Sequence, residues 1–399
     1  MAVVEPITFQ DALESLRDYS GGATVVVETT RIGRRAIHAA YSQLVTMRRW
    51  RYYYRPYRLN VNAAYSTGTV EYDYTGHATC ERALVLTTGT WPTWAASGSV
   101  RIDNVVYGVI KRYSNSVVQL DVNRGPIADI ASGTSYSLSQ GVYTLPEDFA
   151  ALDRPMQEDS DFWSHYVSPS EWLQTERYNS ASSGSLSAWT IMADTRTTGR
   201  KALYMFPYPS TAQTLDFIYQ KIARPLRYSG FLTGETSSKS GTVSGTAANT
   251  TIRGTSTVFS NAMAGSVIRL INGTGAPEGL GGVTPYLEQL IIDGATGVST
   301  LTTKTALVNT YAAGKGYTIS DPIDIPPTLH NAFLALCELH YDRLSGAEPG
   351  IQQQTEARFQ REFVLACGAE QDNLGPRSAW DNQLPRNRRL SKMPLGPDT

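Results

Sequence analysis

Gly68-Thr69-Val70 opens a β-rich phrase that passes Trp91 and reaches Gly98-Ser99-Val100-Arg101-Ile102. It continues through Gly133-Thr134-Ser135-Tyr136-Ser137-Leu138 and ends on Tyr143-Thr144-Leu145-Pro146. Gly241-Thr242-Val243 opens a second phrase, which passes Phe259 and reaches Gly265-Ser266-Val267-Ile268-Arg269-Leu270. That one closes on Gly314-Lys315-Gly316-Tyr317-Thr318-Ile319 and then Ile325-Pro326-Pro327. Gly-Ser-Val and Gly-x-x-Tyr are common in turns and strands, yet the anchors recur in one order, which points to internal duplication. Pairs such as Val100/Ile102 and Val118/Leu120 follow the two-residue period of a half-buried strand. The second copy holds a glycine-rich loop at 272–285 that the first lacks.

Outside these phrases the period changes to that of helices. Thr8 can cap a helix running from Phe9 to Leu16, with Asp11 in its first turn and Gly21-Gly22 at its end. A longer helix is expected over 32–50, where Ile37, Ala40, Tyr41, Leu44 and Met47 make one apolar stripe and Pro56 bars continuation. Between the phrases, a short helix is expected at Ser168-Pro169-Ser170-Glu171-Trp172-Leu173 and strands at 189–192, 203–206 and 215–220. After Pro327, Leu329, Phe333, Leu336, Cys337, His340 and Leu344 share one helical face that ends at Gly346. A last helix is expected over 351–369, with Phe359, Phe363 and Ala366 inward. The expected fold is therefore α+β: a four-helix bundle made by the N- and C-terminal helices, interrupted by β-rich insertions that include two related small β modules. The corresponding divisions are 1–60 (first half of the bundle), 61–141 (first module), 142–232 (central β-rich region), 233–321 (second module), 322–374 (second half of the bundle) and 375–399 (an extended basic tail).

The chain has 399 residues and a formal net charge of −1, which argues against wholesale coating of nucleic acid. Its three cysteines are scattered, as expected of a reducing compartment, and imply neither disulfides nor a metal site. The N-terminus has no signal-peptide pattern and no apolar run spans a bilayer, so a soluble protein made in the cytoplasm, without membrane association, is expected. The chain contains no G-x-S-x-G, Walker loop, H-E-x-x-H or dinucleotide fingerprint, so no enzyme, catalytic residue, cofactor or metal is expected. Gly273-Thr274-Gly275-Ala276-Pro277-Glu278-Gly279 has only a superficial likeness to a phosphate loop. Glu147, Asp148, Asp153, Glu158, Asp159 and Asp161 crowd one loop, but nearness in sequence does not set two carboxyls across a sugar. His38, His77, His165, His330 and His340 have no metal-ligand spacing and read as packing or surface residues.

Residues 31–58 carry many arginines and no acid. Interleaved with Trp50, Tyr52, Tyr53, Tyr54 and Tyr57, they suit phosphate contact with base stacking, a plain basic helix face, or a protein interface. The near-zero net charge favours the interface. Arg31, Arg34, Arg35, Arg48, Arg49 and Tyr53 are accordingly candidates for an interface between subunits, or for lining a channel.

The phrases Tyr143-Thr144-Leu145-Pro146-Glu147-Asp148-Phe149, Leu203-Tyr204-Met205-Phe206-Pro207-Tyr208-Pro209 and Leu215-Asp216-Phe217-Ile218-Tyr219 come in that order between helical ends. In this the chain resembles the head-to-tail adaptor (connector) proteins of tailed bacteriophages, especially short-tailed ones. The resemblance implies a structural virion protein at the neck, assembled in the host cytoplasm. It implies a ring of copies, dodecameric, that binds beneath the portal protein, extends the DNA channel and docks the tail tube or nozzle, with tail fibres as further neighbours. Genomic DNA would pass without specific binding. Carried onto this chain, the basic tail with Arg377, Trp380, Arg386, Arg388, Arg389 and Lys392 is the portal-binding arm. The alternative reading is a carbohydrate-binding or carbohydrate-hydrolysing tail component, suggested by Trp91, Trp94, Trp163, Trp172 and the acidic loop.

Overall fold

The computed structural model describes residues 6–21, 26–123, 125–152, 165–172, 183–184, 188–194, 196–209, 211–230, 239–278 and 284–372. Among these, twenty-three strands stand against four longer helices: α1 (Phe9–Tyr19), α2 (Val26–Met47), α3 (His330–Ser345) and α4 (Pro349–Asp372). The expected four-helix bundle with β insertions is overturned. The chain is mostly β-sheet, dominated by two seven-stranded half-barrel sheets. The helical periods locate helices, but the helices do not make the body of the fold.

In the first module the strands are β1 (Val70–Asp73), β2 (Ala83–Leu86), β3 (Gly98–Ile102), β4 (Val105–Arg112), β5 (Val117–Leu120), β6 (Ile130–Thr134) and β7 (Ser137–Gln140). In the second they are β8 (Thr242–Gly245), β9 (Thr251–Thr255), β10 (Val267–Leu270), β11 (Glu288–Gly297), β12 (Thr300–Thr303), β13 (Tyr311–Lys315) and β14 (Tyr317–Ser320). The strand order is β6-β1-β2-β5-β4-β3-β7 in one sheet and β13-β8-β9-β12-β11-β10-β14 in the other, so each strand has its counterpart in the same place.

Detail matches as well as order. Gly68 and Gly241 both have φ near +80°, and a Cβ on either would lie 2.3 Å from a backbone oxygen, of Thr88 and Thr255 respectively. Only glycine fits such a turn without moving the backbone. Tyr136 donates its hydroxyl to the carbonyl of Thr67, and Tyr317 donates to that of Ser240, each just before its turn glycine. Each tyrosine ring meets the corner aromatic edge-on, Trp91 at 5.2 Å and Phe259 at 5.6 Å. One anchor must be shifted. Val100 lies opposite Leu138 and Ile268 opposite Ile319, so Val100 matches Ile268, not Val267. Arg101 therefore matches Arg269. A one-residue slip reverses which face a side chain takes, and literal alignment of the Gly-Ser-Val triplets makes that slip.

The chain forms two compact units, Met1–Tyr52 with Ala223–Thr399, and Tyr53–Ile222. The second unit joins the first module to a central β region. There a strand at Tyr54–Val61 pairs with Gln213–Lys221, which also pairs with Phe149–Leu152. Strands Ala188–Ala193, Lys201–Phe206 and Val142–Thr144 form a neighbouring sheet. Their core holds Leu59, Val61, Tyr143, Leu145, Phe149, Trp189, Leu203, Met205, Leu215, Phe217 and Tyr219. The short helical turn at Pro169–Trp172 is present, capped by Ser168 with Glu171.

The first unit joins the second module to the helices. α1 begins with a capping box: Thr8 accepts from the Asp11 N–H, while Asp11 accepts from the Thr8 backbone and hydroxyl at 2.9 and 2.8 Å. α2 buries Ile37, Ala40, Tyr41 and Leu44, but Met47 of the expected stripe is exposed because the helix ends there. α3 is the central helix. It packs on α1, α2 and α4 and buries Phe333, Leu336 and Cys337 as expected, together with Glu338 and Asp342. Leu344, at its end, is 39 % exposed. α3 stops at Gly346, whose φ of +73° ends the helix in the left-handed conformation.

Candidate functional site: a polar seam and the exposed surfaces

The seam lies between α1 and the second module. Arg269 points outward from β10 yet is wholly buried, because the first turn of α1 covers it. Its Nη2 donates to Asp11 at 2.6 Å, its Nη1 to Gln10 at 3.3 Å and its Nε to Gln289 at 2.8 Å, with the Tyr286 ring 4.6 Å from the guanidinium. Gln10 also donates to the Pro277 carbonyl, and its backbone N–H donates to Ser320 Oγ. The extra loop of the second copy thus holds the start of α1. The Gly316 N–H donates to the Gly273 carbonyl. A Cβ at Gly316 would lie 1.7 Å from the Gly275 oxygen, so loop and sheet touch through bare backbone.

Beside the seam, Asp321 is fully buried and accepts four hydrogen bonds. Ser266 Oγ (2.7 Å) and Arg224 Nη2 (3.1 Å) donate to one carboxylate oxygen, and the backbone N–H groups of Arg227 and Tyr228 (2.7 Å) to the other. Full pairing is what makes a buried charge tolerable. The matching residue of the first module, Gln140, grips its own incoming segment through Asn62. Neighbouring Asp324 accepts from the Tyr52 hydroxyl and the Arg224 N–H, so one carboxylate holds the chain both where it leaves this unit and where it returns. These carboxylates and Arg269 were not foreseen. The available signal was an arginine shared by both copies at one register position, and an acid closing the last strand of the second.

A second polar group lies among the helices. Asp342 accepts from Tyr19 and from Thr355, and Arg358 pairs with Glu338. Burial, then the bond to Asp342, pushes Tyr19 up to about 12. Burial raises Glu338 above the usual carboxylate range, and Arg358 offsets part of this. Burial pushes Cys337 well above its ordinary value, which leaves it a packing thiol.

Of the predicted interface residues, Arg31, Arg35, Arg48 and Arg49 are exposed and Arg34 is half-buried, its guanidinium 5.8 Å from the Phe9 ring. Tyr53 is 1 % exposed beneath Lys221, so it serves the core and offers no surface. Trp50 is also internal, donating to the Leu44 carbonyl and meeting Phe363 edge-on. The stacking platform expected for nucleic acid therefore loses two of its aromatics. Arg377, Trp380, Arg386, Arg388, Arg389 and Lys392 lie outside the described residues. So do Trp163 and the acids at 153, 158, 159 and 161.

Among the described residues, the aromatics of the carbohydrate reading do not form a surface. Trp91 and Trp172 are core residues and Trp94 packs against the first module's core. Glu147 pairs with Arg200, and Asp148 accepts from Tyr219. His340 meets Gln43 at 2.7 Å, and burial lowers the pKa of both His330 and His340, as befits packing residues. Among the described residues no group of His, Cys, Asp and Glu could hold a metal ion, and no helix is long and apolar enough to cross a membrane.

The two most exposed large hydrophobics of the described residues are Ile127 (90 %) and Val308 (78 %). Each lies three residues before the sixth strand of its module. The loops carrying them are held from the barrel, by Tyr72 donating to the Pro126 carbonyl and by buried Glu288 accepting from the Val308 N–H. The two modules thus share both the strand order and an apolar tip upon it. No protein family, curated protein or solved structure matches this chain.

Proposed function

We propose that this protein is a structural, non-catalytic virion component, a head-to-tail adaptor that forms a ring beneath the portal of a tailed bacteriophage and offers a platform to the tail. One observation carries the reading. The phrases on which the resemblance rests, Tyr143 to Phe149 and Leu215 to Tyr219, converge in one buried cluster, with the Phe149 and Tyr219 rings stacked at 5.5 Å. They pack together in one core, which supports reading them as parts of one shared fold. The exposed arginines of residues 31–49 and the outer face of the first module are the two dissimilar surfaces that this reading assigns to a closed ring. The basic segment at 375–399 is assigned to the portal.

Native mass spectrometry and electron microscopy of the protein mixed with portal rings test this. The expected result is a ring on the portal, weakened by deletion of residues 375–399 without loss of fold. A protein that stays monomeric and ignores the portal refutes it.

A further inference from the structure

In the second module three side chains on the outer face of β10 and β14 receive the capped start of α1: Arg269, Thr318 and Ser320. Arg269 lies opposite Thr318 in the strand pairing, and Val267 lies opposite Ser320. In the first module the same pairing sets Arg101 opposite Ser137, and Ser99 opposite Ser139. An arginine and two hydroxyls therefore occur at matching positions in both copies, although the surrounding sequences have diverged. Their cover differs. Arg269, Thr318 and Ser320 are all buried, whereas Arg101, Ser99 and Ser137 are half-buried and only Ser139 is buried. The hairpin next to the site differs too. Between β3 and β4 it is the two-residue turn Asp103-Asn104, with both φ values positive, where the second module has the long loop that holds α1. The first module thus carries the same receptor side chains for an acidic helix start, less deeply buried than those of the second.

The chain also displays a second acidic helix start of the same construction. In α1, Asp11 accepts from the Thr8 backbone and hydroxyl and then receives Arg269. At Pro169–Trp172, Glu171 accepts from the Ser168 backbone and, at 2.8 Å, from its hydroxyl, and Pro169, Ser170 and Glu171 are exposed. We infer that the outer face of the first module, at Arg101, Ser137 and Ser139, docks the Ser168–Glu171 turn of a second copy of this chain. Arg101 and Glu171 each already interact with their own surroundings, and the contact between copies adds to those interactions. The contact joins two different surfaces, so it propagates from copy to copy in one direction, and it closes when the rotation permits. This rests on the ring reading proposed above, and it supplies that reading with a named contact.

Charge exchange in the full-length chain tests it, with self-association followed by sedimentation velocity and native mass spectrometry. Arg101→Glu and Glu171→Arg should each weaken self-association by about tenfold or more, and the two together in one chain should restore it. Circular dichroism separates these effects from misfolding. Should Arg101→Glu fail to fold, Glu171→Arg and Glu171→Gln still carry the test, since Glu171 is exposed. Assembly unaffected by the single substitutions, or not restored by the pair, overturns this contact and leaves the ring reading standing. Assembly driven only by portal, with the same insensitivity, also overturns it and assigns the face to another protein. A wild-type protein that is monomeric under all conditions, portal included, overturns both.

Discussion

Replacing Asp321 by alanine should unfasten the first unit from its own inner side. The carboxylate is fully buried and has four donors: one guanidinium, one hydroxyl and two backbone N–H groups. A buried donor left without its acceptor costs ~1–3 kcal/mol, and breaking a buried ion pair by removing one member costs ~3–5 kcal/mol. These terms share one carboxylate and do not add. Arg224 also keeps the Ala264 carbonyl, and its side chain is 27 % exposed, which lowers its share. The expected loss is about 3–5 kcal/mol for Asp321→Ala and about 1–3 kcal/mol for Asp321→Asn, which retains one acceptor oxygen. Domains are typically stable by only ~5–15 kcal/mol, so the alanine variant should be near its unfolding threshold at room temperature. Urea denaturation gives the magnitude and amide hydrogen exchange gives the location. Protection should fall in α1, at 224–230 and in β14, while 53–222 stays protected. A loss under about 1 kcal/mol, or exchange rising equally in both units, refutes the assignment of Asp321 as the organising acceptor.

The matched turns and tyrosines of the modules give paired predictions. Gly68→Ala and Gly241→Ala should each cost at least ~1 kcal/mol by chemical denaturation, since both force a side chain onto a carbonyl at positive φ; a tolerated alanine at either position contradicts the shared turn. Tyr136→Phe and Tyr317→Phe should each cost about 1 kcal/mol, and a large disparity between them refutes equivalent roles. Burial holds His330 and His340 below their ordinary 6.5, with Arg343 adding to the effect at His340. The unfolded chain therefore takes up more protons as pH falls, so this stability is complete above 6.5 and is lost as pH drops below it. The denaturation midpoint of the first unit should decline from about pH 7.5 to about pH 5.5, and less steeply in His340→Gln; an unchanged slope in that variant refutes the contribution of His340.

How much of this could be read in advance depends on whether the information was local. Helix positions followed from period and caps: Thr8, Asp11 and Gly346 mark boundaries where they were expected. The doubled phrases announced two modules with one topology, because turn glycines and corner aromatics leave local signatures. The architecture was misjudged because an apolar stripe states that a face is buried, not what buries it. Residues Phe9, Gln10 and Glu14 of α1 are buried partly against a β module, and no helical count contains that fact. Arg269 and Asp321 were missed for the same reason. Each is a charged residue in a polar-looking position whose burial is created by segments more than ninety positions away in sequence. The aromatic run at 50–54 misled in the opposite sense: Trp50 and Tyr53 turn inward while Tyr52 is 41 % exposed.

The unit that spans 53–222 is continuous in sequence, and the other is split around it. During synthesis the continuous unit has all its strands once residue 222 has emerged. α1 and α2 precede that unit in the chain, whereas the second module, Asp324 and α3 follow it. Chains fold unit by unit as they appear, so the inserted unit matures early while Ile37, Leu44 and Trp50 wait, uncovered, for α3 and α4. The segment before residue 53 thus becomes native after the unit that follows it, and Asp324, which fastens Tyr52 to Arg224, can form its paired contacts only after both crossings exist.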